Sequence, residues 1–232
     1  MRNLIELKVL KYQQWTLLFL IIFSIIFFFI LPLEIFQQGE FWGMSTIFWA
    51  VSLISLIIIH QLYVLLSWRL EMHYSLITKT FGKLGFPLHV IGFFILLFLR
   101  IHFTLALSLS NAGTLAIPFI VRFVIVLIMS IPMLYTFYSV LRYFGLSRAA
   151  GGDHFSQKYR DMPLVKEGIY KYTGNALYIF GFLMFWIPAL LFGSVTALMI
   201  ALFSHIFIWV HYYTIEKPDF KILFKNNKLD KN

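Results

Sequence analysis

A carboxylate at the end of an apolar run and a cluster of phenols upstream of it set the chemical question. His205, Trp209, Tyr212 and Glu216 recur at intervals of four, three and four, the spacing that lines residues along one helical face. Upstream, the stretch EGIYKYTGNALYIFG (167–181) carries Gly168, Tyr170, Tyr172, Gly174 and Tyr178, with no charge after Lys171. Phenol rings can stack on a flat heterocycle or face a cation, at roughly 0.5–2 kcal/mol per contact. Glycines allow close backbone approach, and a carboxylate can take an ammonium. Such a set suits a ligand that is part ring and part cation. Proton transfer needs a base; His154, Tyr159 and His211 lie in or beside the same region, and nothing in the sequence chooses between them. The chain has no cysteine, so thiolate nucleophiles and thiolate metal sites are excluded. No metal centre is expected.

These residues must be positioned by membrane helices. Of the 232 residues, 60% are hydrophobic and 12% charged, outside the range of soluble domains. A span needs roughly 20 mostly apolar residues. The runs predict an all-α, polytopic integral membrane protein of about six transmembrane helices, at 15–33, 44–68, 84–108, 115–141, 175–192 and 195–213. The chain is read as one membrane domain, 1–232, in which helices over 15–141 precede a functional region at 146–220. The first run follows Arg2, Lys8 and Lys11 with no cleavage signature, and is expected to remain as an uncleaved span.

Positive charge alternates between the connections. Lys and Arg fall before the first span, between the second and third, between the fourth and fifth, and after the sixth; the other connections have none. Positive loops resist translocation, so both termini and the 146–174 loop are expected in the cytoplasm. The formal charge of +9 is read as this topology signal and not as nucleic-acid binding. The last two spans, joined by Phe192-Gly193-Ser194, must form a tight hairpin. Pro118, Pro132 and Pro188 are expected to kink their helices, and the tail from Phe220 onward to be loosely ordered. His60, His89 and His102 are expected to make interhelical hydrogen bonds. Arg100 and Arg122 lie inside spans, toward the outer half of the bilayer, where snorkelling to headgroups competes with lining a cavity for an anionic headgroup.

The stretch LVKEGIYKYTGNALY (164–178) resembles the membrane-bound isoprenylcysteine carboxyl methyltransferases and phospholipid N-methyltransferases. Their signature is Leu-Val-x-x-Gly-x-Tyr, about four residues, then Arg-His-Pro-x-Tyr opening a membrane hairpin, with an acidic pair, often followed by Pro, beyond it. Here Leu164, Val165, Gly168, Tyr170 and Tyr178 stand in register, and Glu216, Pro218 and Asp219 follow the hairpin. Gly174, Asn175 and Ala176 replace Arg-His-Pro, Met162 replaces an upstream histidine, and Lys217 replaces the second acid. The resemblance covers roughly a quarter of the chain. It implies S-adenosylmethionine as cofactor, held by Leu164, Val165, Gly168, Tyr170, Asn175, Tyr178, His205, Tyr212 and Glu216, and a lipid or lipidated substrate reached from the membrane. The C-terminal region also looks broadly similar to NADPH-dependent sterol and steroid reductases. A non-catalytic lipid-binding relative is the third class to weigh.

Overall fold

The computed structural model describes residues 8–224 of the chain. Arg2, Lys225, Lys228 and Lys231, which enter the charge pattern above, lie outside the described residues. The principal helices are α1 (Gln13–Ile30), α2 (Thr46–Tyr74), α3 (Gly85–Ser110), α4 (Phe119–Ser139), α5 (Leu183–Phe192), α6 (Val195–His211) and α7 (Lys217–Leu223). Two-residue strands β1 (Glu40–Phe41) and β2 (Met44–Ser45) pair antiparallel before α2. Among the described residues, five helical runs are long and apolar enough to cross a membrane: Gln13–Ile30, Thr46–Tyr74, Leu76–Ser110, Phe119–Phe144 and Val195–Leu223. The remaining expected span, Leu177–Phe192, is a shorter apolar helix. The class is all-α and membrane-spanning, as the apolar runs require.

The packed centre lies where α1, α2, α3, α5 and α6 meet. Trp49, Leu53 and Ile57 of α2 pack with Phe203 and Phe207 of α6, and Ala50, Ala106, Ala189 and Ala197 lie in the same cluster. Small side chains let helix axes approach closely, which matters where lipid supplies no hydrophobic drive for association. Outer faces remain apolar: Phe28, Phe98, Ile128 and Ile131 are exposed, as expected of surfaces solvated by lipid tails.

The α5–α6 hairpin turns as its linker predicts. Gly193 adopts φ 65°, the left-handed conformation that closes a helix C-terminus. The Ser194 hydroxyl accepts the Ala197 N–H at 3.1 Å and caps α6. Arg122 binds this end, its Nη1 donating to the Leu190 and Leu191 carbonyls at 3.0 and 3.1 Å. Arg122 therefore caps a helix C-terminus, where cations are favoured, instead of snorkelling away from the bundle. Pro118 corrects another expectation: it is the N-cap of α4 and kinks nothing, because a missing N–H and a fixed φ suit a helix entrance. Pro132 and Pro188 do lie inside helices. The C-terminal segment stays helical to Leu223, further than the loosely ordered tail expected from Phe220.

Candidate functional site

The end of the bundle that carries the 146–174 loop has a backbone feature with no sequence signature. Three π-helical turns occur there, at Val140–Phe144, Leu177–Gly181 and Tyr212–Glu216. π-turns are rare and recur at functional sites, because the extra residue re-aims side chains that a regular helix would turn elsewhere. Two of them face each other. The Tyr178 hydroxyl in one donates to Glu216 Oε2 in the other. The Tyr178 ring also meets Trp209 and Tyr212 edge-on, with centroids 6.0 and 5.8 Å away. One turn deeper, Phe182 lies 5.8 Å from His205, and Trp186 Nε1 donates to His205 Nδ1 at 3.1 Å. His205 and Trp209 of α6, and Tyr212 and Glu216 of the π-turn that follows it, thus share one strip facing the opening of the hairpin.

The loop folds in short helical pieces that pack on α2, α3 and α4. Gly168 has φ 59°, and a Cβ there would press on Ser139 and Tyr143; the Ile169 N–H donates to Ser139 Oγ at 3.0 Å. Docking of the loop on α4 accounts for this glycine, which need not be kept bare for a ligand. Tyr170 stacks on Phe144 with centroids 5.1 Å apart, and the Arg148 guanidinium lies 4.9 Å over the other partner, Phe144. Arg148 Nε stands 4.0 Å from Asp153 Oδ1. Burial raises the Asp153 carboxyl above the usual carboxylate range, against the pull of Arg148. Burial likewise raises the Tyr170 phenol.

Beneath the loop lies a buried ionic cluster. Arg69 donates through Nε to both Asp219 oxygens at 3.2 Å, through Nη1 to the Val9 and Lys11 carbonyls, and through Nη2 to the Thr214 carbonyl. Asp219 Oδ2 lies 3.6 Å from His154 Nε2. The His154 ring stacks on Trp68 at 4.4 Å, and His211 meets the same indole edge-on at 5.6 Å. Several buried polar atoms here make no hydrogen bond: Arg148 Nε and Asp153 Oδ1, which face each other only at ion-pair range, His154 Nε2, at ion-pair range of Asp219, and His154 Nδ1, Tyr170 Oη and His211 Nδ1. Buried polar groups are nearly always paired. A cluster of orphans of both signs in one place is what a bound polar ligand would satisfy.

The other expected residues are placed less directly. Asn175 opens the hairpin helix, its carbonyl accepting the Tyr178 and Ile179 N–H groups at 3.0 Å. Leu164 is 53% exposed in the extended segment ahead of Gly168, with Val165 half-buried beside it. Tyr172 is 75% exposed and Gly174 has open space around it, so neither forms part of the cluster. Tyr159 packs against Phe86 and Gly152. Of the three histidines expected to bond between helices, His60 meets Arg100 and His89 Nε2 meets the Ala150 carbonyl at 2.9 Å. His102 is exposed and makes ring contacts with Trp42 and Phe103.

Arg100 overturns the snorkelling expectation. It is 3% exposed and points into the bundle, where Nη2 donates to Ser204 Oγ at 2.6 Å and Nη1 lies 3.3 Å from His60 Nδ1. Its guanidinium covers the Phe182 and Phe185 rings at 5.7 and 4.8 Å. Residue counting gives depth in the membrane but not rotation about the helix axis, and it is the rotation that turns Arg100 inward. Arg148, Arg69 and Asp219 were likewise not singled out as a cluster. Arg69 and Asp219 are 150 residues apart in sequence, and only the proximity of Asp219 to the acidic-pair position hinted at it.

Fold and site define an integral membrane protein with a polar, aromatic-walled site at one end of its helix bundle. Residues 121–227 match the family model for phospholipid methyltransferases. That family lies in the isoprenylcysteine and phospholipid methyltransferase superfamily, so the match bears out the resemblance carried by residues 164–219 and extends it back through α4. It indicates a membrane methyltransferase in general terms. No curated protein and no solved structure matches the chain.

Proposed function

We propose that the protein transfers a methyl group from S-adenosylmethionine to a lipid or lipidated acceptor in the membrane, with the cofactor held at the loop-covered end of the hairpin. The supporting observation is the set of orphaned buried polar atoms of both signs beside the Tyr178–Glu216 pair. The donor set fits the cofactor's chemistry. Glu216 and Asp153 offer carboxylates to its ammonium, Arg148 offers a cation to its carboxylate, and the Tyr170 and Tyr178 rings offer faces to its adenine or sulfonium. The family's Arg-His is absent at 174–176, and on this reading Arg148 brings the missing cation in from the loop.

When bound, the cofactor supplies an electrophilic methyl on sulfonium, for in-line displacement. The protein's task is then to align an acceptor and keep water out. The loop segments at 146–174 and the aromatic strip on α6 do both. An ammonium acceptor must first lose a proton. Of His154, His211 and Tyr159, His154 is the one whose ring faces a carboxylate, Asp219. Asp219 would orient that ring and stabilise the imidazolium. By the charge alternation, the site opens to the cytoplasm and the acceptor arrives from the bilayer.

The test is transfer of a labelled methyl from S-adenosylmethionine into the lipid extract by purified protein in nanodiscs, with NADPH binding measured in parallel. Label should appear in lipid, and Arg148→Gln should lower it at least about tenfold, as loss of a charge-assisted contact does. NADPH binding without S-adenosylmethionine binding would favour a reductase instead. Binding of neither would leave a non-catalytic lipid-binding relative.

A further inference from the structure

Pro218 stands directly behind Glu216 and Lys217, and the chemistry above gives it no part. In a regular helix the Thr214 carbonyl would accept the N–H of residue 218. Proline has no N–H, and its ring presses on the carbonyl four residues back. Here the turn ahead of it is widened: Tyr212–Glu216 is π-helical, and the Lys217 N–H donates to the Tyr212 carbonyl. α7 begins beyond this turn, with Pro218 in its first positions. A proline alone does not widen a turn. Pro132 and Pro188 lie inside α4 and α5, and the residues four places before them, Ile128 and Met184, are in regular α-helix.

What sets Pro218 apart is Arg69. From α2 it grips the chain on both sides of the proline: Nη2 donates to the Thr214 carbonyl at 2.7 Å, and Nε donates to the Asp219 carboxylate at 3.2 Å. The carbonyl that the proline leaves without a regular helical donor is thereby satisfied. Nη1 donates to the Val9 and Lys11 carbonyls at 2.8 and 2.7 Å, which ties the segment ahead of α1 to the same point. Ile215 is buried against Val64, Leu65 and Trp68 of α2, and the Thr214 and Thr16 hydroxyls meet at 3.3 Å. The back of the π-turn is thus fixed by α1 and α2. Its front carries Glu216, whose carboxylate accepts the Tyr178 hydroxyl.

We infer that Pro218 and Arg69 are positioning residues for Glu216. The proline opens the π-turn, the guanidinium holds it open by taking the Thr214 carbonyl, and the widened turn aims Glu216 at Tyr178. Closing the turn to a regular helix would rotate its last residues by up to about 100°, one residue's share of a turn. That rotation would carry the Glu216 carboxylate off the Tyr178 hydroxyl. The consequence for binding rests on the methyl-transfer reading, in which Glu216 takes the cofactor's ammonium; the positioning itself requires only the turn and its two supports.

The experiment follows the Tyr178 ring by NMR of the full chain in detergent, with tyrosine isotopically labelled at Cζ and the signal assigned by its loss in Tyr178→Phe. Glu216→Ala marks where that signal falls without its carboxylate partner. Pro218→Ala, which returns an N–H to position 218, should shift the signal most of the way there. It should also weaken S-adenosylmethionine binding at least about tenfold, with no fall in thermal midpoint. Arg69→Lys keeps a charge facing Asp219 but gives up the planar fork; in its folded fraction the signal should shift the same way. Lys217→Ala, beside the proline and exposed, should leave signal and affinity as in the wild type. A wild-type Tyr178 signal in Pro218→Ala or in folded Arg69→Lys, or wild-type cofactor affinity in Pro218→Ala, overturns the inference. If the signal shifts as expected but the wild type binds no S-adenosylmethionine, the methyl-transfer reading fails and the positioning of Glu216 stands.

Discussion

The two ends of the bundle use polar residues in opposite ways. At the hairpin end, Asn111 is buried and fully engaged. Its Nδ2 donates to the Ile35 and Gln38 carbonyls, and its Oδ1 accepts from Ser194 Oγ, Thr114 Oγ1 and the Thr196 N–H, all at 2.9–3.1 Å. Thr46, Ser110 and Thr196 complete the network, and none of these residues has an orphaned atom among the described residues. At the loop end, buried Arg148, Asp153, His154 and His211 and half-buried Tyr170 each keep a buried polar atom that makes no hydrogen bond. A satisfied network holds a fold together, whereas an unsatisfied one costs stability until something binds. By that criterion the hairpin end is architecture, and the loop end is where the proposed function puts the working site.

Mutations can break or sharpen this contrast. The largest loss should come from Arg69→Met, which removes one partner of a buried pair and strands Asp219. Such changes cost about 3–5 kcal/mol, to be seen as a large drop in thermal midpoint in detergent. Asn111→Leu should cost about 2–3 kcal/mol by orphaning several carbonyl and hydroxyl groups at once, with cofactor affinity of the folded fraction unchanged. Tyr170→Phe should go the other way. Its hydroxyl is buried without a partner, so its loss should be neutral or stabilising by up to about 1 kcal/mol, while cofactor binding weakens. A destabilised Tyr170→Phe would show that the loop end is ordinary architecture.

The smallest effect concerns pH. Burial raises the Asp153 carboxyl, so the folded state binds this proton more tightly than the unfolded chain does. The contribution to stability is therefore full below the ordinary carboxylate range and is lost as pH rises through the raised value. Asp153→Asn should flatten that slope in midpoints measured from about pH 4 to about pH 7, a shift of a few degrees at most.

Much of the fold could be read from the chain because lipid imposes strong rules. Long apolar runs must be helices, and Phe192-Gly193-Ser194 leaves room only for a tight turn. The resemblance implies that Tyr178 and Glu216 share one site across the hairpin, but their direct hydrogen bond is a finding of the structure. What could not be read were features set by rotation and by distant pairing. Arg100 turns inward to Ser204, Arg69 finds Asp219, and Pro118 stands before its helix instead of in it. The π-turns at 177–181 and 212–216 leave no compositional mark, yet they set the angle at which Tyr178 meets Glu216. Gly168 illustrates the converse: its type was noticed, but loop docking on Ser139 explains it better than ligand contact.

The loop-end groups that make no hydrogen bond, with Glu216 beside Tyr178, are proposed to bind S-adenosylmethionine. Calorimetric titration of S-adenosylmethionine into nanodisc-embedded wild type and Glu216→Gln protein tests it most directly. Saturable binding to the wild type is expected, with at least about tenfold weaker binding to the variant at an unchanged thermal midpoint. Equal affinity in the two proteins, or no binding to the wild type, would contradict it.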